Sequence, residues 1–188
     1  MIELISNFLS EHFAKHQMVK TDKSESTNQI INGAYIVKNT TVPQGLTING
    51  KASLSDDVIF KEKIIINGSL KARDVTFESD LTSNGTTFIS DSKIKGYAFL
   101  RGAIQSKNSV FMKIIKILGD DANFENCQMD GLIVQKLPNN KIVYKIRLTN
   151  STVAGDIVFE SGMGKVFVDA SSTIQGKIIG GELIKEND

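Results

Sequence analysis

The sequence is dominated by a glycine that recurs at a nearly constant interval. Six glycines are separated by 17, 18, 17, 17 and 17 residues: Gly33, Gly50, Gly68, Gly85, Gly102 and Gly119. The first three each end the tripeptide Ile-Asn-Gly. Internal repetition at a short fixed period is typical of solenoids, in which each repeat packs only on its neighbours.

A second column of residues keeps the same period. In each repeat a small polar residue precedes a small or β-branched residue, and a large apolar residue follows two places later. The polar members are Asn39, Asp57, Asp74, Asp91, Asn108, Asn126, Asn150 and Ser171. Asn and Asp tolerate the dihedral angles of tight corners, and glycine adopts a positive φ at little cost. The two columns therefore predict two corners in every coil.

Between the corners, apolar and polar residues alternate with period two, the pattern of a strand with one buried face. Predicted inward pairs are Ile64 and Ile66, Leu70 and Ala72, and Val75 and Phe77. The pattern predicts an all-β fold, a single-stranded parallel β-helix with three-sided coils of about 17 residues. About eight coils, from residue 31 to the C-terminus, would form a rod of roughly 35–40 Å at ~4.8 Å per coil. We expect a right-handed winding.

The repeat pattern also divides the chain into segments. Residues 1–19 are predicted to form an amphipathic helix, 20–29 a polar linker, 30–182 the solenoid and 183–188 a polar tail. The helix would present one apolar face: Ile2, Leu4, Ile5, Phe8, Leu9 and Phe13. We expect it to cap the first coil, because the ends of a solenoid expose unpaired strand edges. The alternatives are that the helix forms a subunit contact or attaches to a membrane surface.

Two steps of the repeat are longer than a coil. The step from Asn126 to Asn150 is 24 residues and holds the turn signal Pro-Asn-Asn within residues 136–141. The next step, to Ser171, is 21 residues and contains residues 160–165. We expect a loop or small hairpin at 136–141, because insertions in repeat proteins form loops on one face.

Composition narrows the possible functions. A net charge of +1 gives no basic excess of the kind that nucleic-acid binding usually requires. The single cysteine, Cys127, excludes an intrachain disulfide and a cysteine-cluster metal site. No segment approaches the ~20 apolar residues of a membrane-spanning helix, and the first residues lack the basic and apolar regions of a signal peptide. We therefore expect a cytoplasmic protein.

Three aspartates are the candidate metal ligands. Asp57, Asp74 and Asp91 should stack on successive coils, and clustered carboxylate oxygens attract hard cations. The alternative is structural, since Asx side chains hydrogen-bond neighbouring amides at corners. The structural interpretation is favoured because Asn39 and Asn108, in the same column, need no metal.

No catalytic constellation is apparent. His12 and His16, both in the predicted helix, lack the glutamate of an H-E-x-x-H motif. Cys127 belongs to the small-residue column and should point into the core, where a thiol is inert. The pairs Asp56-Asp57 and Asp120-Asp121 lie two or more coils apart. We expect a non-enzymatic protein with no cofactor.

The glycine-punctuated coils, such as residues 66–72 (INGSLKA) and 151–157 (STVAGDI), resemble those of bactofilins, the bacterial polymer-forming β-helical cytoskeletal proteins. The resemblance spans roughly residues 31–181. It implies a right-handed, non-enzymatic rod that associates end to end. The predicted N-terminal helix departs from the family, whose rods are flanked by flexible tails that leave the ends available.

Two other β-helix families fit less well. Hexapeptide acyltransferases have a six-residue period and a catalytic histidine in the solenoid, whereas this solenoid has no histidine. Pectate-lyase-like proteins share asparagine ladders but have longer coils. The leading hypothesis is thus a structural or interaction protein whose partner is a second copy or another protein. The alternative is a carbohydrate-binding or polysaccharide-active β-helix, with a groove lined by residues 136–141 and exposed Tyr97 or Tyr144.

Overall fold

The computed structural model describes residues 28–138 and 142–186, which wind into a parallel β-solenoid of about nine turns. Strands of successive coils pair in parallel, 17 or 18 residues apart in the first coils and 20–25 residues apart where the coils are enlarged. No helix occurs in these two ranges. The helix predicted over residues 1–19 and nearly all of the predicted linker lie outside the described residues.

Each coil contributes one strand segment to each of three walls. Long strands that continue around corners start the solenoid: β1 (Gln29–Lys38), β3 (Leu46–Phe60) and β4 (Ile64–Phe77). Wall A, before each glycine corner, continues with β5 (Leu81–Asn84), β8 (Ala98–Arg101), β11 (Ile115–Leu118), β14 (Leu132–Val134), β17 (Ile157–Phe159) and β20 (Ile178–Ile179).

Wall B follows each glycine corner and wall C follows each Asx corner. Wall B continues with β6 (Thr87–Ser90), β9 (Ile104–Lys107), β12 (Asp121–Glu125), β15 (Tyr144–Thr149), β18 (Gly164–Val168) and β21 (Gly181–Lys185). Wall C contains β2 (Thr41–Val42), the ends of β3 and β4, then β7 (Lys93–Ile94), β10 (Val110–Phe111), β13 (Gln128–Met129), β16 (Thr152–Val153) and β19 (Thr173–Ile174).

The core consists of the inward residues of all three walls. The predicted inward pairs on β4 are all buried, which confirms the register inferred from the alternation. Phe60 and Phe77 stack with ring centroids 5.5 Å apart on adjacent coils, and Ile94 continues their column to Phe111. Because each coil buries its inward face against the coils above and below, stability comes from the interfaces between coils.

The extra residue in one 18-residue step is a bulge. Register shifts between Ser55 and Val58, where Asp56 and Asp57 both adopt left-handed angles, with φ of 62° and 58°. Asp56 is therefore the additional residue between Gly50 and Gly68. The extra residue stays unpaired, so the strand segments before and after the bulge remain aligned with the same walls of the next coil.

Two strand boundaries differ from the sequence-based segmentation. The first strand begins at Gln29, inside the predicted linker, and the last strand runs to Lys185, inside the predicted polar tail. The insertion at 136–141 is described only to Pro138, and these residues contain no strand.

Candidate functional site

The predicted aspartate ladder occupies one corner of successive coils. Asp57, Asp74 and Asp91 have φ angles of 58°, 56° and 51°, the left-handed region that Asn and Asp tolerate best. The backbone N–H of Asp57 donates to Asp74 Oδ2 (3.2 Å), and Asn108 Nδ2 donates to Asp91 Oδ1 (2.8 Å). Two of the three side chains thus accept hydrogen bonds from neighbouring coils.

Within residues 28–138 and 142–186, no group of three or more His, Cys, Asp or Glu side chains is arranged to hold a metal ion. Asp57, Asp74 and Asp91 accordingly do not converge as ligands. Their shared geometry is that of a corner, which is the structural interpretation of the column.

Asparagine ladders run along two outer edges of the solenoid. At the glycine corner, the amide of Asn49 donates to Asn32, that of Asn67 to Asn49, and that of Asn84 to Asn67, at 2.8–2.9 Å. At the Asx corner, the same pattern links Asp91, Asn108, Asn126 and Asn150 at 2.7–3.0 Å. The Ile-Asn-Gly tripeptide and the Asx column are the sequence signals of these two ladders.

A serine ladder lies inside the solenoid, one residue after the Asx corner. The N–H of Val75 donates to Ser92 Oγ (3.1 Å), and the N–H of Ser92 donates to Ser109 Oγ (3.2 Å). The two hydroxyls in turn donate to the carbonyl oxygens of Ser90 (2.6 Å) and Lys107 (2.7 Å). Each buried hydroxyl therefore accepts a hydrogen bond from a backbone N–H and donates one to a backbone carbonyl oxygen, both of which the corner turns away from the strand ladder.

Cys127 continues this ladder. Its N–H donates to Ser151 Oγ (3.0 Å), and its thiol contacts Ser106 Oγ (3.5 Å) and donates to the carbonyl oxygen of Glu125 (3.3 Å). The side chain is buried, as the column predicted, and this burial raises the pKa of the thiol. A buried, protonated thiol is a poor nucleophile. His12 and His16 lie outside the described residues.

Two clusters of ion pairs lie on the outer surface. Asp56 accepts hydrogen bonds from Ser55 Oγ (2.9 Å) and Arg73 (2.7 Å), and Lys38 lies 3.4 Å away. These partners, Ser55 first, hold the pKa of the Asp56 carboxyl below its usual range. Elsewhere, Lys61 and Lys95 bridge to Glu78 from the coils on either side and lower the pKa of Glu78. Each cluster joins successive coils.

The aromatic side chains predicted to line a carbohydrate groove have different environments. Tyr97 is 41% exposed on wall A, with Lys113 Nζ 4.8 Å from its ring centroid. Tyr144 is fully buried, which contradicts the prediction that it is exposed. Its hydroxyl accepts the N–H of Leu137 (2.7 Å) and so fastens the start of the inserted loop to the core. The insertion breaks the repeat just before Tyr144, which explains why alternation assigned it wrongly.

A groove with an aromatic lining lies on wall B. It has a volume of about 340 Å³, and its lining includes Phe88, which is 43% exposed. Lys71, Gln105, Asn123 and Arg147 project from aligned outward positions on neighbouring coils. Thr87 and Ile89 point inward, so the sequence alternation does predict an outward Phe88.

These observations define the chain as a parallel β-solenoid repeat protein whose corners are held by asparagine and serine ladders. No protein-family model, curated protein or solved structure gives a significant match to it. Among the residues that the structure describes, no helix is long and apolar enough to cross a membrane.

Proposed function

We propose that this protein is a non-catalytic structural or protein-interaction solenoid that self-associates through its first coil, in the manner that its resemblance to bactofilins implies. The observation that carries the proposal is the edge of β1. This strand is ten residues long, has neither proline nor a charged residue before Lys38, and pairs only with β3 among the described strands. Long, uncharged strand edges readily pair with another chain.

Apolar side chains surround this edge. Ile30 and Ile36 point outward and are 64% and 65% exposed, whereas the aligned residues of the next coil are Thr47 and Ser53. Ile31 and Val37 face the interior but remain partly exposed in the first coil. Their burial under a partner would add to the free energy gained from strand pairing.

The last coil is built differently. On wall A the last strand, β20, has only two residues, and on wall B β21 carries Glu182 and Lys185. Lys185 aligns with the buried Val168, so a charge occupies an interior column. Short edge strands and inward-pointing charges both discourage edge-to-edge pairing. The β1 end is thus the better candidate for association.

Sedimentation velocity and negative-stain microscopy of the full chain test the proposal. We expect the sedimentation coefficient of the wild type to rise with concentration and the variant Ile36→Lys to shift toward monomer. Ile179→Lys is the matched control, because Ile179 is 47% exposed in the last coil. A wild type that stays strictly monomeric up to its solubility limit would contradict self-association.

The Phe88 groove supports carbohydrate binding as a second candidate function. An exposed ring beside planar amide and guanidinium groups suits a sugar, which presents an apolar face and a polar rim. A glycan array compares the wild type with Phe88→Ala and with Tyr97→Ala as the control. Binding lost only in Phe88→Ala supports this function, and no binding by the wild type removes it.

A further inference from the structure

We infer that residues 2–13 of the same chain dock on the β1 edge and compete there with a second copy. The chain would thereby control its own association. The regulatory half of this inference rests on the proposed function, whereas the docking stands without it.

The first argument is chemical complementarity. The apolar positions of residues 2–13, among them Ile5, Phe8 and Leu9, recur at helical spacing. The surface around β1 offers Ile30 and Ile36 on the outside and partly exposed core residues at the end of the coil. Burial of a single side chain such as Ile36 removes apolar area from water on both partners, and this is the main favourable term in docking.

The second argument is position. The described chain starts at the edge itself, where Asn28 Nδ2 donates to Thr47 Oγ1 (2.6 Å) and Gln29 N–H donates to the carbonyl oxygen of Gly45 (2.9 Å). Residues 14–27 then separate the apolar segment from the edge. These fourteen residues span at most about 50 Å when extended. The whole of β1, ten residues long, measures only ~33 Å along its path. The segment can therefore reach every part of the edge.

The third argument is effective concentration. A segment tethered this close to its target experiences an effective concentration on the order of mM. A second copy competes only at its bulk concentration. At micromolar protein concentration the tethered segment therefore occupies the edge, even when both occupants bind it with equal intrinsic affinity. Association then requires that the segment be displaced.

Hydrogen exchange measured by mass spectrometry on the full chain tests the docking. The double variant Ile5→Ser/Phe8→Ser removes apolar side chains from the segment. The matched control, Asn7→Ser/Ser10→Asn, alters polar positions of the same segment. At low protein concentration we expect amides of residues 29–38 to exchange at least tenfold faster in the double variant than in the wild type. Amides of Gly181–Lys185 should not change, and the control should behave as the wild type does.

Two outcomes would overturn the docking: equal exchange at residues 29–38 in the wild type and the double variant, or protection that depends only on protein concentration, as a second copy would give. Sedimentation of the same variants then tests the regulation. We expect the double variant to associate at a concentration at least tenfold lower than the wild type. Faster exchange without any association would leave the docking intact and remove both the regulatory half and the proposed self-association.

Discussion

The backbone N–H of Val75 donates its hydrogen bond to the hydroxyl of Ser92, on the next coil, at 3.1 Å. The Asx corner turns this N–H away from the strand ladder, so a side chain must accept it. Every buried side-chain nitrogen or oxygen atom among the described residues has a hydrogen-bond partner. The serine column thus satisfies backbone groups at the corners and so helps to stabilise the turn of each coil.

Ser92→Ala should therefore destabilise the protein although it removes a single oxygen atom. It leaves the buried N–H of Val75 unpaired, which costs about 1–3 kcal/mol. Urea unfolding followed by circular dichroism measures the change. Ser69→Ala is the control, because Ser69 is exposed and should alter the free energy of unfolding by less than about 0.5 kcal/mol. Equal effects of the two substitutions would contradict the role of the ladder.

The glycine corner makes a second, steric prediction. Gly68 has a φ of +151°, and a Cβ atom there would overlap the carbonyl oxygen of Gly50 on the preceding coil. Gly33 also has a positive φ, of +110°, but a Cβ atom would meet no described atom within 4 Å. Gly33→Ala should cost about 1–3 kcal/mol through backbone strain alone.

Gly68→Ala should cost about 1–3 kcal/mol more than Gly33→Ala, because the overlap forces two coils apart. Thermal and urea unfolding of the two variants, measured side by side, isolate this steric contribution. Equal destabilisation would mean that the coils separate at the corner without loss of free energy.

Acid should weaken the Asp56 cluster. The folded-state pKa of this carboxyl is lowered by Ser55, Arg73 and Lys38. The stabilisation is fully present above the unfolded-state value of about 3.9 and is lost as the pH falls through the lowered folded-state pKa. Stability should consequently fall below about pH 4.

Asp56→Asn should make this fall shallower, because the substitution removes the titrating group while Asn tolerates the left-handed backbone. The measurement is the urea midpoint between about pH 5 and pH 2. Asp57→Asn is a matched control with the same backbone geometry, and its side chain forms no ion pair with another described residue. A slope equal to that of the wild type in Asp56→Asn would exclude a contribution from this cluster.

The period of the glycine and Asx columns was sufficient to predict the walls and the inward register, because every coil repeats the same two constraints. Local departures from the period were harder to assign. In the sequence Asp56-Asp57 resembles an ordinary acidic pair, although Asp56 is the extra residue of a bulge. The path of the insertion before Tyr144 could not be predicted from the sequence. Counting residues from the preceding coil therefore did not show whether Tyr144 points inward or outward. Burial along Gly181–Lys185 does not alternate, and among the described strands this one pairs with a coil on one side, through β18.

Cys127 provides a probe of these interfaces. Burial raises the pKa of its thiol, and thiolate is the reactive form, so alkylation by iodoacetamide should be negligible in the native protein and rapid in denaturant. The exposed Ala170 offers a control: Ala170→Cys should react quickly while Cys127 stays protected. Cys127→Ser should change stability by less than about 1 kcal/mol, since its neighbours in the column, Ser109 and Ser151, are already serines that pair the corner amides. Rapid alkylation of native Cys127 would mean that the coils around it open readily, and a large loss of stability in Cys127→Ser would mean that the thiol is not interchangeable with the ladder hydroxyls.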